Sequence, residues 1–151
     1  MTESESHKEI RKICLRLLAR REYSQLELLT RLTAKGFDRL ESQGVVDGLV
    51  DEGWQSDDRF AEAYARYRIK KGYGPIKISY ELRQRGIEAF DLETVVLDLA
   101  DSWFEILEQV YDKKYADNNG LSNKEWQKRS RFLQQRGFSH EIIKTLYKQT
   151  M

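Results

Sequence analysis

Apolar side chains along this chain recur at intervals of three and four, runs that alternate apolar with polar are almost absent, and proline occurs once. Spacing of three and four returns to one face of an α-helix, so the pattern predicts helices throughout. The first helix is expected over 8–22, with Ile10, Ile13, Cys14, Leu17 and Leu18 on its inner face. Ser24-Gln25-Leu26-Glu27 forms a capping box, whose hydroxyl and carboxylate satisfy backbone N–H groups at a helix start. It opens a second helix to Lys35, and Gly36 ends that helix in the left-handed conformation a C-cap takes. Asp38 caps a third helix reaching 52. The pattern restarts after Gly53-Trp54. Ser56, Asp57 and Asp58 offer N-caps for a helix to 71, and Pro75 sits in the first turn of a helix that ends at Gly86. Another runs over 89–100. A third round comprises helices over 103–115, 122–136 and 139–149, the middle one opened by a second capping box, Ser122-Asn123-Lys124-Glu125.

The rounds are related. Leu32-Thr33-Ala34-Lys35-Gly36-Phe37 has the same form as Leu82-Arg83-Gln84-Arg85-Gly86-Ile87 and Leu133-Gln134-Gln135-Arg136-Gly137-Phe138, and the glycines stand 50 and 51 residues apart. After each glycine come two β-branched residues, two polar ones and a leucine: Val45-Val46 with Leu49, Val95-Val96 with Leu99, Ile142-Ile143 with Leu146. The third set follows its glycine four residues sooner than the others, about one helical turn, which keeps the apolar face. Self-similarity at this period predicts an all-α chain of nine helices in three tandem three-helix repeats, 1–53, 54–101 and 102–151. Units that bury their faces partly against neighbours favour an elongated, curved form.

Charge adds a second pattern. The chain is 151 residues long and its net charge is only +1, so any attraction to an acidic partner comes from local clustering. Residues 66–86 carry Arg66, Arg68, Lys70, Lys71, Lys77, Arg83 and Arg85 against one acid, Glu81. From Gly86 to Asp112 there is no Lys or Arg but eight acids. Basic residues return with Lys124, Lys128, Arg129, Arg131 and Arg136. Each of these residues by itself reads as part of a solvated helix face, but solubility alone favours interspersed signs, so the blockwise sorting points to partners. Within the basic block, Tyr67, Ile69, Ile78 and Leu82 are expected to supply the buried side.

Catalytic chemistry is not written into the chain. His7 and His140 are the only histidines and Cys14 the only cysteine, so no zinc site of ordinary spacing can be assembled. Cys14 falls in an apolar helical pattern and is expected in the core. A lone thiol excludes an internal disulfide and fits a reducing compartment. Asp57-Asp58 is explained by helix capping. Gly72-Tyr73-Gly74 lacks the spacing of a phosphate loop and reads as a turn. Trp54, Trp103 and Trp126 are expected to be packing anchors. No apolar run approaches a membrane span and the N-terminus is unlike a signal peptide. The expectation is a cytoplasmic monomer with no metal, cofactor or membrane contact.

At this point the residues resemble a family. Gly53-Trp54-Gln55-Ser56-Asp57-Asp58-Arg59-Phe60-Ala61, Lys71-Gly72-Tyr73-Gly74-Pro75-Ile76-Lys77-Ile78, Glu81-Leu82-Arg83-Gln84-Arg85-Gly86-Ile87 and Arg131-Phe132-Leu133-Gln134-Gln135-Arg136-Gly137-Phe138-Ser139, in this order, are similar to the bacterial regulatory family RecX. Ser24 with Glu27, Leu28 and Leu32 looks like the family's opening helix pair. The match runs from about Ile10 to Tyr147. One departure is Trp54-Gln55-Ser56, where the family more often has an aromatic, an aliphatic and an acid or amide.

The resemblance implies a non-enzymatic modulator of the recombinase RecA. It would bind the filament that RecA forms on single-stranded DNA, lie in its groove, and limit its extension, ATP hydrolysis and strand exchange, and so modulate recombinational repair and the SOS response. The family brings no catalytic residues to carry over. The inferred mechanism is a clamp that gains from several weak contacts at once. The contact residues expected from charge are Arg66, Arg68, Lys70, Lys71, Lys77, Arg83 and Arg85, with Lys128, Arg129 and Arg131. The acidic block would face a basic surface and discourage tight binding to free DNA, leaving at most weak direct DNA binding. Two rival classes are a helical nucleic-acid-binding module acting without RecA and a generic helical protein-interaction scaffold.

Overall fold

A computed structural model describes residues 4–150. It contains nine α-helices and, among the described residues, no strand: α1 Glu5–Leu18, α2 Gln25–Ala34, α3 Arg39–Asp51, α4 Asp57–Lys70, α5 Pro75–Gln84, α6 Leu92–Leu99, α7 Trp103–Lys114, α8 Asn123–Gln135 and α9 His140–Thr150. They divide into two compact units, Met1–Ala63 with Leu82–Phe90, and Tyr64–Glu81 with Asp91–Met151. The division passes through α4 and α5.

The recurring leucine-to-glycine ending is a helix stop of one construction. In α2 the Phe37 N–H reaches back to the Leu32 carbonyl (3.1 Å) and the Gly36 N–H to Thr33 (3.0 Å). The same pair of bonds closes α5 from Ile87 to Leu82 and Gly86 to Arg83, and α8 from Phe138 to Leu133 and Gly137 to Gln134. This is the Schellman arrangement, which needs the glycine at positive φ and places an apolar residue after it. All three leucines are buried, so each cap also fixes a core side chain.

In the first unit α1 and α2 pack on α3 around Ile10, Cys14, Leu28, Leu32, Val45, Val46 and Leu49. Cys14 is fully buried as expected, and burial pushes its thiol up to about 11. Ser24 and Glu27 make both bonds of the capping box. Glu41 accepts the hydroxyls of Ser6 (2.6 Å) and Ser4 (2.7 Å), tying α3 to the start of α1, and these bonds hold its carboxyl below the usual range.

Several expectations are corrected. Asp57 is not the cap of α4. The Arg59 N–H goes to the Ser56 hydroxyl (3.1 Å), while Asp57 Oδ1 accepts from the Gln25 N–H and from Gln55 Nε2, both at 2.9 Å. Gln55 also donates to the Tyr23 carbonyl and is buried, so the amide at the departure from the family pattern works as an internal tie. Trp54 is 56% exposed and Tyr67 58%. Trp54 follows the glycine turn that ends α3, and its backbone rather than its ring is held there, by the Leu49 carbonyl. Ile69, Ile78 and Leu82 are buried as expected. The helix after Gly86 starts at Leu92 rather than 89, because Asp91 is its N-cap. After Gly36 and Gly137 the caps come two residues on, at Asp38 and Ser139. The extra turn is therefore helical in α3 and unwound before α6.

In the second unit α9 packs on α7 and α8. Trp103 sets its ring edge-on to Phe138, and Trp126 lies between Tyr111 and Tyr147. The Ser122 hydroxyl caps α8 through the Glu125 N–H, but the Glu125 carboxylate turns to Arg129. The start of α5 docks on the end of α8. The Gly74 and Ile76 N–H groups donate to the carbonyls of Arg136 (2.8 Å) and Gly137 (3.0 Å). Orphan donors of one helix thus meet orphan acceptors of another. A Cβ on Gly74 would fall 2.6 Å from the Gly137 oxygen, and one on Gly137 2.7 Å from the Lys77 nitrogen. Gly74 of the Gly-Tyr-Gly turn permits this approach, while Gly72 takes the positive φ that ends α4.

Candidate partner-binding surface

The ten basic residues singled out by charge do not form one class. Arg68 is internal to the fold. Its Nε and Nη2 donate to the two Glu81 oxygens (2.9 and 2.8 Å), Tyr64 donates to the same carboxylate (3.1 Å), and the guanidinium lies 3.8 Å from the Tyr73 ring centre. Burial alone would lower the Arg68 guanidinium, and the Glu81 carboxylate, by hydrogen bond and by charge, more than reverses that, so the net shift is upward. The one acid of the basic block is consumed in this clasp between α4 and α5.

Arg129 is internal as well. Its side chain is 12% exposed, and it donates to Glu125 (3.2 Å), the Tyr111 hydroxyl (2.8 Å), Asn118 (3.1 Å) and the Asp117 carbonyl (3.2 Å). It pins the 116–121 loop to α7 and α8. Arg66 pairs with Asp98 at 3.0 Å, and Lys77 is half-buried with its ammonium 5.1 Å from the Tyr73 ring. In the other unit Arg85 lies 3.8 Å from Glu27. Lys70, Lys71, Arg83, Lys128 and Arg131 stand exposed. These five are the cations available to a partner without dismantling the fold.

Three cations outside that set gather in the second unit. Lys113 and Lys114 end α7 and Arg136 caps α8, and with Lys70 and Lys71 they line an open groove. Arg136 also donates to the Lys71 carbonyl (3.0 Å) and lies over Tyr73 and Phe132. Lys113-Lys114 directly follows the acidic block, and that abrupt change of sign was the signal in the sequence. Among the described residues no group of three or more His, Cys, Asp or Glu side chains converges as a metal site would require. No helix among them is long and apolar enough to cross a membrane.

Comparison with known proteins accounts for nearly the whole chain. Residues 11–49 match the family model of the first three-helix domain of RecX, 56–96 that of the second, and 100–146 that of the third. A protein named regulatory protein RecX from Legionella pneumophila (strain Corby) is 40% identical over 135 residues, 89% of this chain and 90% of that one. Its namesake from Pseudomonas fluorescens (strain SBW25) is 35% identical over 137 residues, 91% and 88% of the two chains. A solved structure of a regulatory protein RecX superposes with a TM-score of 0.75, covering 94% of this chain and 71% of that one. RecX from Lactobacillus salivarius gives 0.74 over 95% of both. These two are 19% identical and speak for the fold. With three consecutive domain matches and relatives this similar along their length, the chain belongs to the RecX family.

Proposed function

We propose that this protein is a non-catalytic regulator, a monomer of the cytoplasm, that binds the filament RecA forms on single-stranded DNA and restrains its ATP hydrolysis and strand exchange, so modulating recombinational repair and the SOS response. The observation that carries the reading is the run of three RecX domain matches along the chain. The internal ties of some of the ten cations support a contact made by the others. Arg68 and Arg129 hold the fold, so the electrostatic contact falls to Lys70, Lys71, Arg83, Lys128 and Arg131. Exposed cations attract phosphate or acidic side chains through charge that salt screens.

The test is DNA-dependent ATP hydrolysis by RecA. Substoichiometric protein lowers the rate, and the protein alone hydrolyses nothing. Replacing Lys70, Lys71, Lys128 and Arg131 together by alanine leaves the melting temperature near wild type, weakens inhibition, and flattens its salt dependence by about 0.7 per phosphate contact removed from a single strand. Hydrolysis that stays at its control rate with excess protein refutes the function. Wild-type potency and salt slope in the fourfold variant refute the contact. Binding of naked DNA as tight as of the filament favours a module acting without RecA.

A further inference from the structure

The C-terminal turn of α4, one face of α7 and the end of α8, all within the second unit, enclose an open groove of about 600 Å³. Its floor is aliphatic: buried Ile69 and Ile106 with half-buried Leu99 and Val110. Its rim is cationic: Lys70, Lys71, Lys113, Lys114 and Arg136. No Asp or Glu is among the described residues that line it. Helix α7 sorts the signs by face. Ile106, Val110, Lys113 and Lys114 recur at three- and four-residue steps into the groove, while Glu105, Glu108 and Asp112 follow the same steps on another face. Cations in the last turns of α4 and α7 offset the carbonyl ends of those helices. That accounts for Lys70, Lys113 and Lys114 singly. It does not account for their convergence, with Lys71 and Arg136, around the partly exposed Leu99 and Val110.

We propose that this groove binds an acidic segment of a protein partner in which leucine-like residues are interleaved with Asp and Glu. The charge is complementary, and the volume falls in the range of about 300–1,000 Å³ in which sites bury a few anchoring groups. The aromatic rings decide against a nucleic-acid strand. Base stacking needs an open ring face, yet Phe132 has the Lys114 ammonium 4.2 Å and the Arg136 guanidinium 5.1 Å from its centre. Tyr73 has Arg68 at 3.8 Å and Arg136 at 4.7 Å. The rings near the rim are occupied by the protein's own cations, and what remains open is aliphatic. The inference does not rest on the identity of the regulated recombinase, and its readout is separate from ATP hydrolysis.

The full chain is titrated into a short fluorescein-labelled peptide of Leu and Glu, with leucines at three- and four-residue spacing, and anisotropy is recorded. A second peptide carries Ser in place of Leu at equal charge, and oligo-dT of equal charge is the competitor. Saturable binding of the first peptide is expected, weaker by about tenfold or more for the serine peptide and for both Lys113→Glu and Val110→Gln, the scale of one lost charge pair or apolar anchor. Lys144→Glu, on α9 and not among the residues that line the groove, leaves it unchanged. In an isotope-labelled wild-type sample the amide signals of Val110 and Lys113 shift on titration, which tests the site even where a variant folds poorly. Equal affinity for the serine peptide, insensitivity to Lys113→Glu, an equal loss with Lys144→Glu, or unmoved amide signals overturns the proposal. So does displacement of the peptide by oligo-dT at lower concentration, which makes the groove a nucleic-acid site.

Discussion

Three glycines separate backbone strain from steric contact. Gly36 has φ +91° and a Cβ there would meet nothing within 4 Å; Gly137 has φ +102° and a Cβ there would fall 2.5 Å from Lys77 Cβ and 2.7 Å from its nitrogen. Gly74 is the complement, since it has no positive φ, but its Cβ would fall 2.6 Å from the Gly137 oxygen. Gly36→Ala therefore carries the left-handed penalty alone, about 1–2 kcal/mol. Gly74→Ala carries the clash alone. Relieving it separates the start of α5 from the end of α8 and strains the bonds from Gly74 and Ile76 to Arg136 and Gly137. Each is worth about 1 kcal/mol net and more when a group is left buried and unpaired, so the expected loss is about 2–3 kcal/mol. Gly137→Ala combines both effects and should lose about 3–5 kcal/mol, a large share of a typical domain's stability.

Urea unfolding followed by circular dichroism measures all three. Gly36 lies in one unit and the other two in the second, so if transitions separate, each substitution moves its own. Because one displacement relieves both clashes, the double variant Gly74→Ala/Gly137→Ala should lose clearly less than the sum of the singles. The reasoning fails if Gly36→Ala and Gly137→Ala are equally destabilised, or if the double variant is additive.

Other outcomes follow from single contacts. Arg68→Ala leaves the largely buried Glu81 carboxylate without its main partner and should destabilise by about 2 kcal/mol or more in thermal melts, whereas Lys70→Ala should stay within about 0.5 kcal/mol. The folded-state pKa of Glu41 is depressed, so its contribution is present above the unfolded carboxylate pKa and is lost as pH falls through the lower folded value. An NMR titration should show Glu41 below 4.5 and closer to it in Ser6→Ala. The Cys14 thiol, buried and raised to about 11, should resist a disulfide reagent at neutral pH until denaturant is added, and fast reaction in the native state would place it outside the core.

What the sequence disclosed was whatever is decided within a few residues. A Schellman stop needs only a leucine, a glycine four residues later and an apolar residue next, so Leu32, Leu82 and Leu133 could be read as core positions and Gly36, Gly86 and Gly137 as helix ends. The box at Ser24 was legible for the same reason. The one at Ser122 was half legible, because Glu125 has the right spacing but a nearer cation in Arg129. The extra turn before α6 was misread because Asp91 outcompetes residues 89–90 as a start, a difference that the apolar spacing does not register.

The site was less legible because the fate of a cation is set by partners far along the chain. Arg66, Arg68 and Lys70 look alike in the sequence, at alternate positions of one helix. Glu81 takes the second into the fold, Asp98 from the acidic block pairs with the first, and the third is exposed. The acidic block is thus partly an internal counter-charge, and the basic block offers a partner fewer charges than its composition suggests. The groove shows the converse. Lys113 and Lys114 end α7 and Arg136 caps α8 in a different run of the chain, yet the docking of α5 on α8 through Gly74 and Gly137 brings Arg136 over Tyr73, beside the end of α4. Scanning for charge finds the change of sign at Lys113-Lys114 but not its meeting with Arg136 and the end of α4. That docking also means that a substitution at Gly74 or Gly137 should impair the proposed binding by the groove along with stability, even though neither glycine lines it.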